Sequence, residues 1–235
     1  MAVRILTNRR ERFDDSIFLA GFHGFGGTGY IAVSYLISNL SAKRIGFVQT
    51  QTMPPFTFMD GRRLITPFEV YRKERLVFLK TEFSPHRDEE VAFGESVARW
   101  VMEKGFKEAV LIGGLDGSLR EDGDESPRVI ATKAFLTRGR KLEIPLLEPG
   151  LVVYGPIATM MVNFEINNFP AAALLCYADV TKPDFKAAGQ AVKVLCNMYG
   201  LEVDISDLDV EAWSLEEEME RRLAQVEKVL NGMYV

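Results

Sequence analysis

Along the chain, short runs of purely apolar residues alternate with longer stretches in which apolar residues return every three to four positions. Ser16 to Phe22 (SIFLAGF) is such a run, and it breaks directly into glycines. Tyr30 to Leu40 then carries apolar residues at helical spacing, and Arg44 to Thr50 returns to a strand-like run. This opening predicts a strand, a tight turn, a helix and a second strand, a βαβ unit whose strands are parallel. Phe56 to Met59, the Asp60-Gly61 turn, Pro67 to Tyr71 and Leu76 to Thr81 predict short strands in an antiparallel excursion on the sheet.

Glu89 to Lys104 has amphipathic spacing and stops at Gly105, which suits the left-handed end of a helix. Ala109 to Ile112 reads as a buried strand halted by Gly113-Gly114. Asp116 to Pro127, rich in acidic residues, Gly and Pro, reads as a surface loop. Strands are expected over Arg128 to Ala134, Leu151 to Val153 and Ala171 to Cys176, and a short helix over Ala158 to Ile166. A further helix begins at Lys182-Pro183-Asp184 and runs to about Tyr199, with Asp184 in its first turn where the helix dipole favours an acid. Near the end, Leu215, Met219, Leu223, Val226 and Leu230 form a narrow apolar stripe behind Glu216, Glu217 and Glu218. A stripe this narrow fits a coiled-coil seam or a helix lying on a neighbouring subunit better than a helix sunk in a core.

With 235 residues and 47% apolar content, the chain suffices for one sizeable core, so a single α/β domain over 1–210 is expected, followed by a helix and tail over 211–235. The balance of 28 Lys and Arg against 33 Asp and Glu, without a concentrated basic surface, disfavours a nucleic-acid groove. No apolar run approaches the roughly 20 residues that span a bilayer, and no charged-then-apolar leader opens the chain, so a cytoplasmic protein is expected. Cys176 and Cys196 fall in apolar segments and read as buried free thiols. His23 and His86, the only histidines, join no cluster with metal-ligand spacing, so neither a metal site nor a Ser-His-Asp arrangement is expected.

Gly24-Phe25-Gly26-Gly27-Thr28-Gly29 matches G-x-G-x-x-G between a strand and a helix, the setting of a dinucleotide fingerprint. The acid that would hold the ribose, about 20 residues on, is missing: no Asp or Glu occurs between Asp15 and Asp60. Gly29-Tyr30 also lacks the Lys-Ser/Thr pair of a phosphate loop. No cofactor is therefore expected, and the glycines read as a packing device. His23, Gly24, Gly26 and Gly29 outline a candidate ligand cleft, the basis of an alternative reading as a ligand-binding or nucleoside-processing enzyme.

Several landmarks in order resemble the proteasome assembly chaperone family: Gly21-Phe22-His23-Gly24-Phe25-Gly26, Ala32 with Tyr35-Leu36, Pro54-Pro55, Asp60-Gly61, Pro67 with Tyr71, Gly113-Gly114, Gly155 with Ile157, and Asp184 with Ala187-Ala188. Where that family commonly has a G-x-I-x-G turn, this chain has Gly155-Pro156-Ile157-Ala158-Thr159, so a pocket inherited from an enzyme ancestor would be altered there. The resemblance implies a nucleoside-phosphorylase-like fold, a mixed sheet with helices on both faces. It also implies a non-enzymatic protein of archaeal type that binds the proteasome core particle as an assembly chaperone or ATP-independent activator. Met233-Tyr234-Val235 is similar to the hydrophobic-Tyr-X tail with which such proteins enter pockets of the core-particle ring. A homo-oligomer, with a tetramer as the family-based expectation, and a second homologous chaperone are the further implied partners.

Overall fold

A computed structural model describes residues 3–120, 124–138 and 143–204. The expected helix and tail over 211–235 lie outside the described residues. In chain order the elements are β1 (Arg4–Thr7), β2 (Ile17–Gly21), α1 (Thr28–Asn39), β3 (Lys43–Gln49), β4 (Phe58–Asp60), β5 (Arg63–Ile65), β6 (Phe68–Lys73) and β7 (Leu76–Thr81). They continue with α2 (Glu90–Glu103), β8 (Glu108–Asp116), β9 (Arg128–Ala131), α3 (Lys133–Leu136), α4 (Pro156–Ile166), β10 (Ala171–Ala178) and α5 (Phe185–Tyr199).

Eight strands form one mixed sheet in the order β1-β3-β6-β7-β2-β8-β10-β9, and β4 with β5 makes a separate hairpin. The central strands β7, β2, β8 and β10 run parallel to one another. Every residue of β2 and β10 is buried, as expected of parallel strands covered on both faces. Side chains alternate between two cores. Leu19, Phe78, Val110, Ile112 and Leu174 pack under α1 and α5. On the opposite face Ala20, Leu79, Leu111 and Leu175 pack under α2 and α4. Burying each of the larger side chains contributes about 1.5–3 kcal/mol.

The predicted βαβ opening has the correct strand direction but a wider spread. β2 and β3 are parallel, yet β7 and β6 lie between them, because β6 pairs antiparallel with both β3 and β7. The excursion predicted over 56–81 is the source of the inserted pair. Glu69 on β6 is fully buried and accepts from Arg44 Nη1 at 2.7 Å and Thr66 N at 2.9 Å. Arg44 also donates to Leu64 O at 2.8 Å, which ties the β4-β5 hairpin to the sheet.

Several local expectations are corrected. β1 pairs antiparallel with β3 at the sheet edge, although its alternating exposed and half-buried residues carried no clear apolar signal. β8 runs through Gly113-Gly114 to Asp116, because its pairing with β10 continues from Gly113↔Leu175 to Asp116↔Ala178. β9 stops at Ala131, and Thr132 caps the short α3 by accepting from Phe135 N. Leu151 to Val153 finds no ladder partner and is not a strand. Both thiols are free and buried.

Glycines allow the tight seat of α1 on the sheet. A Cβ on Gly29, the second residue of α1, would lie 2.2 Å from Ile112 O, and one on Gly21 would lie 2.0 Å from Gly29 O. Backbone meets backbone here, so no flexible side chain can yield. Gly29→Ala should therefore cost at least about 1–3 kcal/mol, read by urea denaturation. Gly24→Ala should change stability by no more than about 0.5 kcal/mol, since nothing lies within 4 Å of its Cβ position and its φ is negative. Equal losses in the two variants would contradict the packing assignment.

Candidate functional site

The carboxyl ends of β2, β8 and β10 open into a cleft of about 120 Å³. β2 leads into α1 on one face of the sheet, whereas α4 covers the other face. A crevice at such a switch point is the usual ligand position in open α/β sheets. Its walls are the backbone of Gly24, Gly113 and Gly114, the aromatic rings of Phe22, Phe25 and Tyr154, and aliphatic side chains of β8, β10 and the 152–157 strap.

The first wall is the turn after β2. Gly26 (φ 61°) and Gly27 (φ 57°) both adopt the left-handed conformation, and Gly27 N donates to Gly24 O at 2.9 Å. The turn is held from below, because a Cβ on Gly114 would lie 2.3 Å from Phe25 O. It is held from the side by Asp184 N donating to Gly26 O at 2.8 Å. Asp184 itself caps α5, accepting from Ala187 N at 2.9 Å. The opposite wall is the strap leading into α4, where Gly155 (φ 78°) precedes Pro156 at the first helical position. Phe25 and Tyr154 meet edge to face across the mouth, with centroids 6.1 Å apart. Val152 and Tyr154 are largely exposed at the rim.

His23 is half-buried, stacked on Tyr30 with centroids 4.2 Å apart. Its Nε2 lies 3.1 Å from Thr81 O. A carbonyl only accepts, so Nε2 carries the proton and Nδ1 is left as an acceptor. Burial pushes the imidazole below its ordinary value of 6.5, outweighing the contact with Thr81 O and the Glu82 charge. The ring is thus neutral at physiological pH. Behind it, Tyr30 OH donates to Glu82 Oε2 at 2.7 Å and Lys80 Nζ pairs with Glu82 Oε1 at 2.5 Å. Glu90, in the first turn of α2, lines the cleft opposite the turn, and a Cβ on Gly155 would lie 2.9 Å from its Oε1.

Of the four residues outlined from the sequence as a cleft, His23 and Gly24 line it. Gly26 and Gly29 do not: Gly26 sits against Ala178 and Asp184, and Gly29 against Ile112 O. Glu90 and Tyr154 carry no signal in the residue pattern, because they sit in segments more than 60 residues from Gly24 and join it only through the fold. Cys176 is no nucleophile here, since burial pushes its thiol up to about 12. Among the described residues no group of three or more His, Cys, Asp or Glu side chains is placed to hold a metal, and no helix is long and apolar enough to cross a membrane. Met233, Tyr234 and Val235 lie outside the described residues.

These features define an α/β domain with a doubly covered mixed sheet and a small apolar crevice at its strand ends. Residues 18–223 match the PAC2 family, and the chain belongs to that family. The resemblance to proteasome assembly chaperones read from the sequence is borne out at this level. The chain is similar to Uncharacterized protein MJ0106 of Methanocaldococcus jannaschii, 24% identical over 98% of this chain and 94% of the relative. Its fold is that of Pyrococcus furiosus PbaA, an archaeal homolog of proteasome-assembly chaperone, with a TM-score of 0.82 at 21% identity over 97% of this chain and 99% of that one. Pyrococcus furiosus PbaB, an archaeal proteasome activator, has a TM-score of 0.70 at 19% identity, covering 96% of this chain and 99% of that one.

The neutral His23 makes a prediction about pH. The unfolded histidine takes a proton near 6.5, whereas the folded one resists it, so folding stability should fall as pH drops from about 7 towards 5. In urea titrations across that window, His23→Gln should show a shallower loss than the parent. Identical slopes would mean that His23 is not held neutral by its site.

Proposed function

We propose that this protein binds the proteasome core particle, as an assembly chaperone or an ATP-independent activator, and docks through its C-terminal Met233-Tyr234-Val235. The observation that carries the reading is the PAC2 match over 18–223. It is supported by a fold shared along nearly the whole chain with one relative described as a chaperone homolog and another described as an activator.

The tail chemistry suits that role. A terminal carboxylate calls for a cationic partner, the Tyr234 ring buries apolar area while its hydroxyl keeps a hydrogen bond, and Met233 adds a third contact. In this proposal Leu215 to Leu230 form an amphipathic arm, and Asn231-Gly232 is its hinge. Three residues bind weakly, so useful affinity needs several tails presented together. A homo-oligomer, with the tetramer as the working assignment, supplies them, in a cytoplasmic setting and with a second homologous chaperone as a further candidate partner. No nucleotide is needed to open a gate, because tails that bind the open ring better than the closed one shift its population.

An enzymatic role in nucleoside processing, which a nucleoside-phosphorylase-like fold would suggest, fits the cleft less well. Small-molecule sites usually enclose about 300–1,000 Å³, whereas this cleft holds about 120 Å³.

The test is peptide hydrolysis by, and binding to, a purified core particle, comparing the full chain with a form lacking Met233 to Val235 and with Tyr234→Ala. Deletion should abolish stimulation and weaken binding by more than about tenfold, and Tyr234→Ala should follow it. Undiminished binding by the deleted form would remove the tail from the proposal.

A further inference from the structure

The cleft has one chemical feature that glycine packing does not explain. Its side chains include two hydrogen-bond acceptors with no protein partner among the described residues: the half-buried Glu90 carboxylate and the Nδ1 of His23. Among the described residues no Lys, Arg, Asn, Gln, Ser or Thr side chain lines the walls, which are otherwise aromatic, aliphatic or glycine backbone. The complement of such a surface is an apolar stem that ends in a donor-bearing cation.

Size and rim narrow the source. A volume of about 120 Å³ suits one long side chain better than a whole cofactor. The rim is apolar and open to solvent, with Val152 at 79% and Tyr154 at 68% exposure, so whatever inserts there also has a body to cover the rim. Rings flank the mouth at Phe25 and Tyr154, and an aromatic face attracts a cation. Glu90 stands in the first turn of α2, where the positive helix end favours a carboxylate and leaves it facing the cleft.

We propose that the cleft at the ends of β2, β8 and β10 receives a lysine or arginine side chain from a partner polypeptide, whose ammonium or guanidinium is held by Glu90 and His23 while the adjoining backbone covers Val152 and Tyr154. This contact is separate from the tail and does not depend on proteasome binding.

The test uses the full-length protein, isotopically labelled, with amide shifts followed by NMR during titration with Ac-Ala-Ala-Lys-Ala-Ala-NH2. The same peptide with norleucine or glutamate in place of lysine, and n-butylammonium alone, serve as comparisons. The lysine peptide should shift Gly24, Gly113, Gly114 and Tyr154 saturably, binding about tenfold more tightly than the norleucine peptide, the gain of one charge-assisted hydrogen bond. Glu90→Gln should erase that preference while leaving norleucine-peptide binding and the thermal midpoint unchanged. Equal binding of the lysine and norleucine peptides would show an apolar groove only. Preference for glutamate would show an anion site, and n-butylammonium binding as tightly as the peptide would show a site for free amines. Each of those results, or shifts confined to other surfaces, would overturn the proposal.

Discussion

The constraint on which the rest of the molecule depends is the backbone-to-backbone approach of α1 to β2 and β8. Gly21, Gly29 and Ile112 stack so closely that no side-chain carbon fits between the first two, and the following turn rests on Gly114 in the same way. Because α1 starts against the sheet without a spacer, the turn before it must fold back through two left-handed glycines. That fold-back places Gly24 and His23 at the strand ends. The crevice is thus a consequence of how the helix is seated, and its small volume follows from the same closeness.

The two faces of the sheet contribute differently. α1 and α5 cover one face and tie the turn to the α5 cap through Asp184. α2 and α4 cover the other and bring Glu90 and the 152–157 strap to the cleft. Neither half alone makes the site. Its ionisable members come from the ends of β2 and the start of α2, which the chain joins only after passing through the β3-to-β7 excursion. The platform is the doubly covered sheet, whereas the proposed proteasome anchor is the short motif Met233-Tyr234-Val235. Platform and anchor can therefore act on different partners.

Much of the platform was legible in the residue pattern, and the exceptions have physical causes. The runs SIFLAG and AAALLC are buried on both faces, so their uninterrupted apolar character announced central strands. β1 is not legible because an edge strand needs only half its residues covered, and an exposed Leu6 beside a half-buried Thr7 hides the alternation. Gly113-Gly114 looked like a strand end because glycine usually breaks one, whereas here Gly114 admits the turn before α1, Gly113 admits Ile157 of α4, and the ladder continues past both. Leu151 to Val153 has strand-like composition, but it pairs with no strand, and Val152 and Val153 line the cleft instead. The G-x-G-x-x-G pattern correctly marked a turn between strand and helix, and its glycines then divided between lining the cleft and packing beneath it. Glu90 could not be assigned from sequence, because an acid at the start of a helix is ordinary and only the fold brings it into the same cleft as His23.

The central functional claim is that the chain terminus of a PAC2-fold platform enters the core-particle ring. The most direct measurement replaces Tyr234 with a photoreactive phenylalanine analogue in the full-length protein, irradiates it with purified core particle, and maps the adducts by mass spectrometry. Adducts on ring subunits, lost when excess unmodified protein competes, are the predicted result. Adducts confined to this chain itself, with the core particle present in excess, would contradict the account.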